Sequence, residues 1–245
     1  MATKRSYQDA CGIAHGLDLV GERWALLVVR ELLLGPKRYG QLRADLPGIG
    51  TNVLAQRLSE LEASRLLRKR RLPPPTSATV YELTEWAYEL EPVLRALGRW
   101  AVRSPDHDAA AYLSATSFLL SLRTNFDPAR AEGVRARVEL RVGAEVARAV
   151  LEDGKLLVER GPQEAPDAVL TGPPEILAGV VYGGHDLGAT VAAGHIQAEG
   201  DLAAAGRILG AFSLPTPVDP AVRTAYPVPS RARSWIDAEP GSVPK

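Results

Sequence analysis

Two groups of polar side chains between Thr51 and Arg71 stand out by type and spacing. Thr51, Asn52, Gln56 and Arg57 fall on the outward side of a helix whose inward side carries Leu54, Leu58 and Leu61, with Leu66 as a further inward position. Each outward residue type can hydrogen-bond to a base edge or a phosphate oxygen. The run Arg68-Lys69-Arg70-Arg71 follows directly. In a strand, two of these four side chains point to each face, so the run is not one flat patch. Lys69, Arg70 and Arg71 are the candidates to reach a phosphate backbone or a minor groove from the solvated side. The plainer readings are an ordinary polar helix face and a charged edge strand that discourages aggregation. Placement of the basic run immediately behind the helix favours contact with double-stranded DNA.

Other chemistry is sparse. Cys11 is the only cysteine, so an intrachain disulfide framework is impossible and a reducing, cytoplasmic setting is expected. His185 and His195 have no third ligand at useful spacing, so no metal site is expected. No Ser-His-Asp pattern, glycine-rich phosphate loop or defensible carboxylate pair occurs, so neither a catalytic residue nor a cofactor is expected. No apolar run reaches the roughly 18 residues of a membrane span, and the first residues lack a signal-peptide core.

The elements that must position the polar residues can be read from periodicity. A helix is predicted from about Cys11 to Val20, another from Arg23 to Leu34, stopped by Gly35-Pro36, and a short one from Tyr39 to Leu46. Pro47-Gly48 makes a turn before the helix that opens at Thr51. Two helices joined by a tight turn can place the second in the major groove, about 12 Å wide. Leu67–Leu72 and Val80–Leu83 read as strands joined by Pro73-Pro74-Pro75-Thr76-Ser77, a hairpin wing. Thr84 is placed to cap a helix running to about Val102, with Pro92 kinking or restarting it.

Beyond a linker at Arg103–Asp108 the pattern changes. A helix is predicted at Ala110–Leu122, then a strand at Val134–Val142 whose alternate residues Val134, Ala136, Val138, Leu140 and Val142 share a face. Further strands are predicted at Val146–Leu151, Lys155–Arg160, Ala168–Thr171 and Ile196–Glu199, with helices at Pro174–Tyr182 and Leu202–Phe212. Seven prolines from Leu214 onward predict an extended tail, with Trp235-Ile236 able to pin its end. Charge divides in the same way. Met1–Arg103 holds 16 basic against 11 acidic residues, and Ser104–Lys245 holds 13 against 18. The halves carry +5 and −5, so only the first suits a polyanion, although the excess is modest.

The first hundred residues resemble the HxlR-type winged-helix regulators of bacteria. The matching residues are Cys11, Leu17-Asp18-Leu19-Val20-Gly21-Glu22-Arg23-Trp24, Leu27, Arg30-Glu31-Leu32, Gly35-Pro36-Lys37-Arg38-Tyr39, Leu42, Leu46-Pro47-Gly48-Ile49, Leu54, Arg57-Leu58, Glu60-Leu61-Glu62, Tyr81-Glu82-Leu83-Thr84 and Trp100. The resemblance implies a homodimer on a palindromic operator, with the first and last helices of the domain forming the interface. It departs at Gly12, at Gly50, which shifts the expected cap to Thr51, and at Ala87. Some proteins of this type sense oxidants or electrophiles with a cysteine at the place of Cys11, and His15 one turn on could favour its thiolate. The alternative is a small residue packed between dimer helices.

Asp167-Ala168-Val169-Leu170-Thr171-Gly172 and Gly194-His195-Ile196-Gln197-Ala198-Glu199-Gly200-Asp201 more loosely resemble a sterol-carrier-like α/β domain. That implies a module for a hydrophobic small-molecule effector, or else a filled dimerisation or spacer domain. The expected fold class is α+β: a winged helix-turn-helix at 1–103, a sterol-carrier-like domain at 104–213 and a tail at 214–245. The expected function is a DNA-binding transcriptional regulator, not an enzyme. The competing reading is a lipid or small-molecule carrier that uses its winged helix as a protein scaffold.

Overall fold

A computed structural model describes residues 6–219. The first part of the chain closes into helices α1 (Gly12–Val20), α2 (Ala25–Leu32), α3 (Tyr39–Asp45) and α4 (Thr51–Ala63). Strands β1 (Leu67–Arg71) and β2 (Thr79–Leu83) follow as an antiparallel hairpin, then helices α5 (Glu85–Tyr88) and α6 (Glu91–Ala101). Helix α2 is the centre of this unit. Its Val28, Val29 and Leu32 share one core with Leu42, Leu46, Leu54, Leu58 and Leu61. Leu66 joins the same core from beyond the end of α4, where Arg65 turns the chain with a left-handed φ of +61°. Thr84 caps α5 by accepting a hydrogen bond from the Ala87 amide, and Pro92 sits in the first turn of α6, where its missing N–H costs little.

The second part contains helix α7 (Ala115–Asn125), strands β3 (Ala136–Val142), β4 (Glu145–Glu152), β5 (Lys155–Arg160) and β6 (Ala168–Gly172), then helices α8 (Pro174–Tyr182) and α9 (Leu187–Ala192), strand β7 (Gln197–Gly200) and helix α10 (Leu202–Leu209). The strands form one mixed sheet in the order β5-β4-β3-β6-β7, with β3 and β6 parallel and the other pairs antiparallel. Alternation in β3 is realised as expected: Ala136, Val138, Leu140 and Val142 are buried against Phe118, Leu119 and Leu122 of α7 and Ile208 of α10. Asp153 and Gly154, at φ +51° and +70°, make the tight turn between β4 and β5. The fold is therefore α+β, a winged helix-turn-helix followed by a mixed sheet with helices.

Several elements differ from the periodicity: α2 and α4 are shorter than expected, β3 starts at Ala136 rather than Val134, and the helix after Thr84 is two helices, α5 and α6. Helix α7 starts at Ala115 rather than Ala110, because the Ser114 hydroxyl accepts from the Ser117 amide and sets the cap. Helix α9 was not anticipated; its six residues are too short to show a period, and Asp186 caps it through the Ala189 amide. Strand β7 is shifted by one residue to Gln197–Gly200. Helix α10 ends at Leu209, after which Phe212 runs extended and bridges Phe126. Residues 214–219 form no helix or strand, and they lie along Arg103, whose carbonyl accepts from the Val218 amide at 2.8 Å. The expected contact of Trp235-Ile236 lies outside the described residues.

The two parts are packed against each other. Leu120 of α7 belongs to the core of the first part, and Leu34 touches both cores. Beside them the Arg123 guanidinium pairs with Glu91 of α6 at 3.0 Å.

Candidate nucleic-acid interface

Helices α3 and α4 are joined by Leu46–Gly50. Leu46 and Ile49 are buried, and between them Gly48 adopts φ +87°, a value that a side chain would strain. The Tyr39 hydroxyl donates to the Thr51 carbonyl at 2.9 Å, tying the start of α3 to the start of α4. The N-cap of α4 is Gly50, not Thr51. No side chain covers this N-terminus, so its first-turn amides and positive dipole end stay available to an anion.

Thr51, Asn52 and Gln56 are exposed, as are Val53, Ala55 and Ser59 on the same surface. Gln56 donates to Glu60 at 2.9 Å, an exposed contact that a base edge can replace. Arg57 is different. Its expected outward position is corrected: it is only 7% exposed, and its Nη1 lies 2.6 Å from Glu60 and 3.4 Å from Glu22. One residue of helical phase accounts for this. Position 57 sits beside the inward Leu58 and Leu54, so the guanidinium folds back over the helix instead of leaving it.

The wing distributes its charges by strand alternation. Arg68 and Arg70 both grip Glu82 on β2, each at 2.7 Å. Burial pushes the Glu82 carboxyl up, but hydrogen bonds and charge from Arg70 and Arg68 outweigh it and hold it below its ordinary range. On the other face Lys69 pairs with Glu62 of α4 at 2.9 Å and lies over the Tyr81 ring. Arg71 is exposed and forms no ion pair among the described residues. The same holds for Arg38 and Arg43 on the open side of α3. Sequence reading did not single out these two arginines. Their signal was only a basic residue at each end of a very short helix.

Cys11 is exposed at the N-cap of α1. Backbone N–H groups of Ile13 and Ala14 lower its thiol from the ordinary range. The amides of the helix start therefore take the part expected of His15. On α1 the apolar Ile13 and Leu17 face solvent, and α6 exposes Val93, Leu97 and Trp100, with Trp100 at 71%. These α6 residues, four and three apart, form one continuous stripe.

A polar cluster assembled from residues distant in the chain lies behind the helix-turn-helix. Glu31 of α2 and Lys37 are both buried, and Lys37 Nζ contacts Glu31 at 2.8 Å, Asp45 at 2.6 Å and Thr116 at 2.8 Å. Burial pushes the Glu31 carboxyl up, yet the charges of Arg30 and Lys37 and hydrogen bonds from Lys37 and Ser114 bring it below its ordinary range. For Lys37 burial works downward, but Glu31 and Asp45 raise the ammonium above its ordinary range. Both groups stay ionised at neutral pH.

His185 lies between α8 and α9, and His195 between α9 and β7. Among the described residues no group of three His, Cys, Asp or Glu side chains is placed to hold a metal ion, and no helix is long and apolar enough to cross a membrane.

A family model described as HxlR-like helix-turn-helix matches residues 19–108, and one described as alkyl sulfatase C-terminal matches residues 104–220. A helix-turn-helix transcriptional regulator of Synechocystis sp. is 39% identical over 87 residues, 36% of this chain and 64% of the relative's length. The regulator YodB of Bacillus subtilis is 35% identical over 84 residues, covering 34% of this chain and 75% of YodB. YvaP, another helix-turn-helix regulator of Bacillus subtilis, is 33% identical over 85 residues, covering 35% of this chain and 79% of YvaP. The solved structure of reduced YodB is similar over 41% of this chain and all of that one, at 30% identity and a TM-score of 0.36. With matched identity of this order over three quarters of two relatives, the chain belongs to the HxlR-like helix-turn-helix family.

Proposed function

We propose that the chain is a transcriptional regulator that binds an operator as a homodimer, with α4 in the major groove and the wing along the adjacent backbone. The observation that carries this reading is the uncapped start of α4, with Thr51, Asn52 and Gln56 exposed around it and a basic hairpin beside it. Asn and Gln can each make paired hydrogen bonds to adenine, and free helix amides can take a phosphate. Arg38, Arg43, Lys69, Arg70 and Arg71 supply the charge that positions the protein on the duplex. Dimerisation through α1 and α6 accounts for the exposed stripe of Val93, Leu97 and Trp100 with Ile13 and Leu17. The test is titration of the purified chain against its own upstream region and against random duplex at several salt concentrations. Preferential, salt-sensitive binding to an inverted repeat supports the reading, and equal binding to both duplexes removes it.

Oxidant or electrophile sensing by Cys11 belongs to the same proposal, supported by its exposure and its lowered thiol. Mild peroxide or quinone treatment should change operator binding of the wild type and leave Cys11→Ser unaffected; an identical response of both would remove Cys11 from this role.

We read the chain as two domains divided near Arg103, the second with a sterol-carrier-like α/β arrangement and a docking role. Its core between sheet and helices is filled by Phe118, Leu119, Leu122, Leu140, Leu170 and Ile208. An open concavity of about 420 Å³ lies at its surface, lined by Glu132, Arg135 and Asp153, and another of about 380 Å³ lies where it meets α6, lined by Arg95, Arg123 and Leu157. Native mass spectrometry of the purified chain should show no stoichiometric lipid; a retained lipid would restore the carrier reading.

A further inference from the structure

The buried cluster around Lys37 joins α2, α3 and the wing to the second part of the chain. Through its backbone, Lys37 exchanges two hydrogen bonds with Tyr81 of the wing, at 3.0 and 2.8 Å. Its ammonium has three N–H groups, and all are used: one on Glu31 of α2, one on Asp45 at the end of α3, one on Thr116 of α7. Glu145 of β4 stands 3.7 Å away, paired with Arg160 of β5, whose guanidinium also donates to the Pro36 carbonyl at 3.2 Å. Ser114 completes the set by donating to Glu31 at 2.7 Å. Arg30, Lys37 and Arg160 balance Glu31, Asp45 and Glu145, so the cluster is neutral as a whole. Each part's share is neutral as well, so docking supplies Lys37 with a hydrogen-bond acceptor and not with a compensating net charge. Withdrawal of α7 and β4 leaves a buried ammonium one acceptor short, at the residue that holds both the wing and the end of α3.

We propose that Lys37 is a positioning residue through which docking of the second part sets the geometry of α3, the turn and α4, and hence selectivity for the operator. The inference rests on the DNA-binding reading above. A segment that binds or displaces α7 and β4 would then alter operator affinity without touching the DNA surface. Asp45 is the last residue of α3 and lies one residue before the turn, so a shift in its anchor is carried to Thr51 through Leu46–Gly50.

The test uses the full chain and a duplex selected from a random library by the wild type, with random duplex of equal length as control. Thr116→Val removes the acceptor from Lys37 while keeping side-chain shape, and Thr116→Ser retains it. Thr116→Val is expected to weaken selected-duplex binding by about tenfold, within the range of measured site-to-site couplings, with random-duplex binding and active fraction unchanged. Thr116→Ser should bind as the wild type does. Amide hydrogen exchange in residues 39–56 should quicken in Thr116→Val and not in Thr116→Ser. A purely structural role would reduce the active fraction while leaving the dissociation constant intact, and that outcome overturns the proposal. Equal behaviour of the Val and Ser variants overturns it as well. If Thr116→Val does not fold, Glu145→Gln is expected to shift affinity and exchange in the same direction, and no shift refutes the coupling. Should the wild type show no preference for any duplex, the DNA reading fails, while exchange in residues 39–56 still decides whether the second part holds α3 through Lys37.

Discussion

Asn52, Gln56 and Arg57 are neighbours on one helix, yet only the first two face solvent. Replacing Asn52 or Gln56 by Ala is expected to cost roughly 1–3 kcal/mol on the operator and little on random duplex. Arg57→Ala should behave otherwise. It removes a covered guanidinium from Glu60 and Glu22, so the loss should appear as a lower melting temperature while the operator-to-random ratio is kept. Parallel melting and binding titrations of the three variants check this assignment. Arg71 acts at the same scale but by charge. Its removal should weaken all duplexes alike and reduce the slope of log affinity against log salt by about one.

At the scale of elements, α1 and α6 present apolar side chains to solvent, and α4 and the wing present polar ones. Trp100, Leu97 and Val93 project from one side of α6, and no other described element covers them. Trp100→Ala is expected to cost about 2 kcal/mol or more of dimer stability, the range of a central aromatic anchor. Sedimentation equilibrium should then show monomer at concentrations where the wild type is dimeric; an unchanged dimer would place the interface elsewhere. Elements were legible in the sequence wherever a long period or a strong breaker marked them. Leu54, Leu58 and Leu61 on α4, Gly35-Pro36 after α2 and the alternation of β3 all fall where the pattern put them. Features set by a single capping side chain were not legible. The start of α7 and the existence of α9 depend on the side-chain caps of Ser114 and Asp186, single hydrogen bonds that leave no periodic trace.

At the scale of the whole molecule, the Glu31–Lys37 cluster gives stability a definite pH dependence. The folded Glu31 carboxyl lies below its ordinary value, so its contribution is complete above the ordinary glutamate range and is lost as pH falls through the folded value. Lys37 lies above its ordinary value, so its contribution is present at neutral pH and is lost only as pH rises through that higher folded value. The groups facing the pair include Arg30 on α2, Asp45 on α3, Tyr112 before α7, Glu145 on β4 and Arg160 on β5. Thermal stability should be flat around neutrality and fall at both extremes. Lys37→Met, which leaves Glu31 and Asp45 without their shared cation, should cost roughly 3–5 kcal/mol at neutral pH. A melting series across pH on wild type and variant checks both statements.

The amino-acid sequence alone determined the winged helix-turn-helix, its polar helix face and its basic hairpin. Those features are written in local periods, breakers and runs that act between residues close in the chain. Tertiary structure decided the rest. It buried Arg57, paired Arg68 and Arg70 with Glu82, and brought Glu31, Lys37 and Asp45 against Thr116 and Glu145. Thr116 is 79 positions from Lys37, and the attraction between such distant groups exists only once α7 and β4 have docked and water has been excluded.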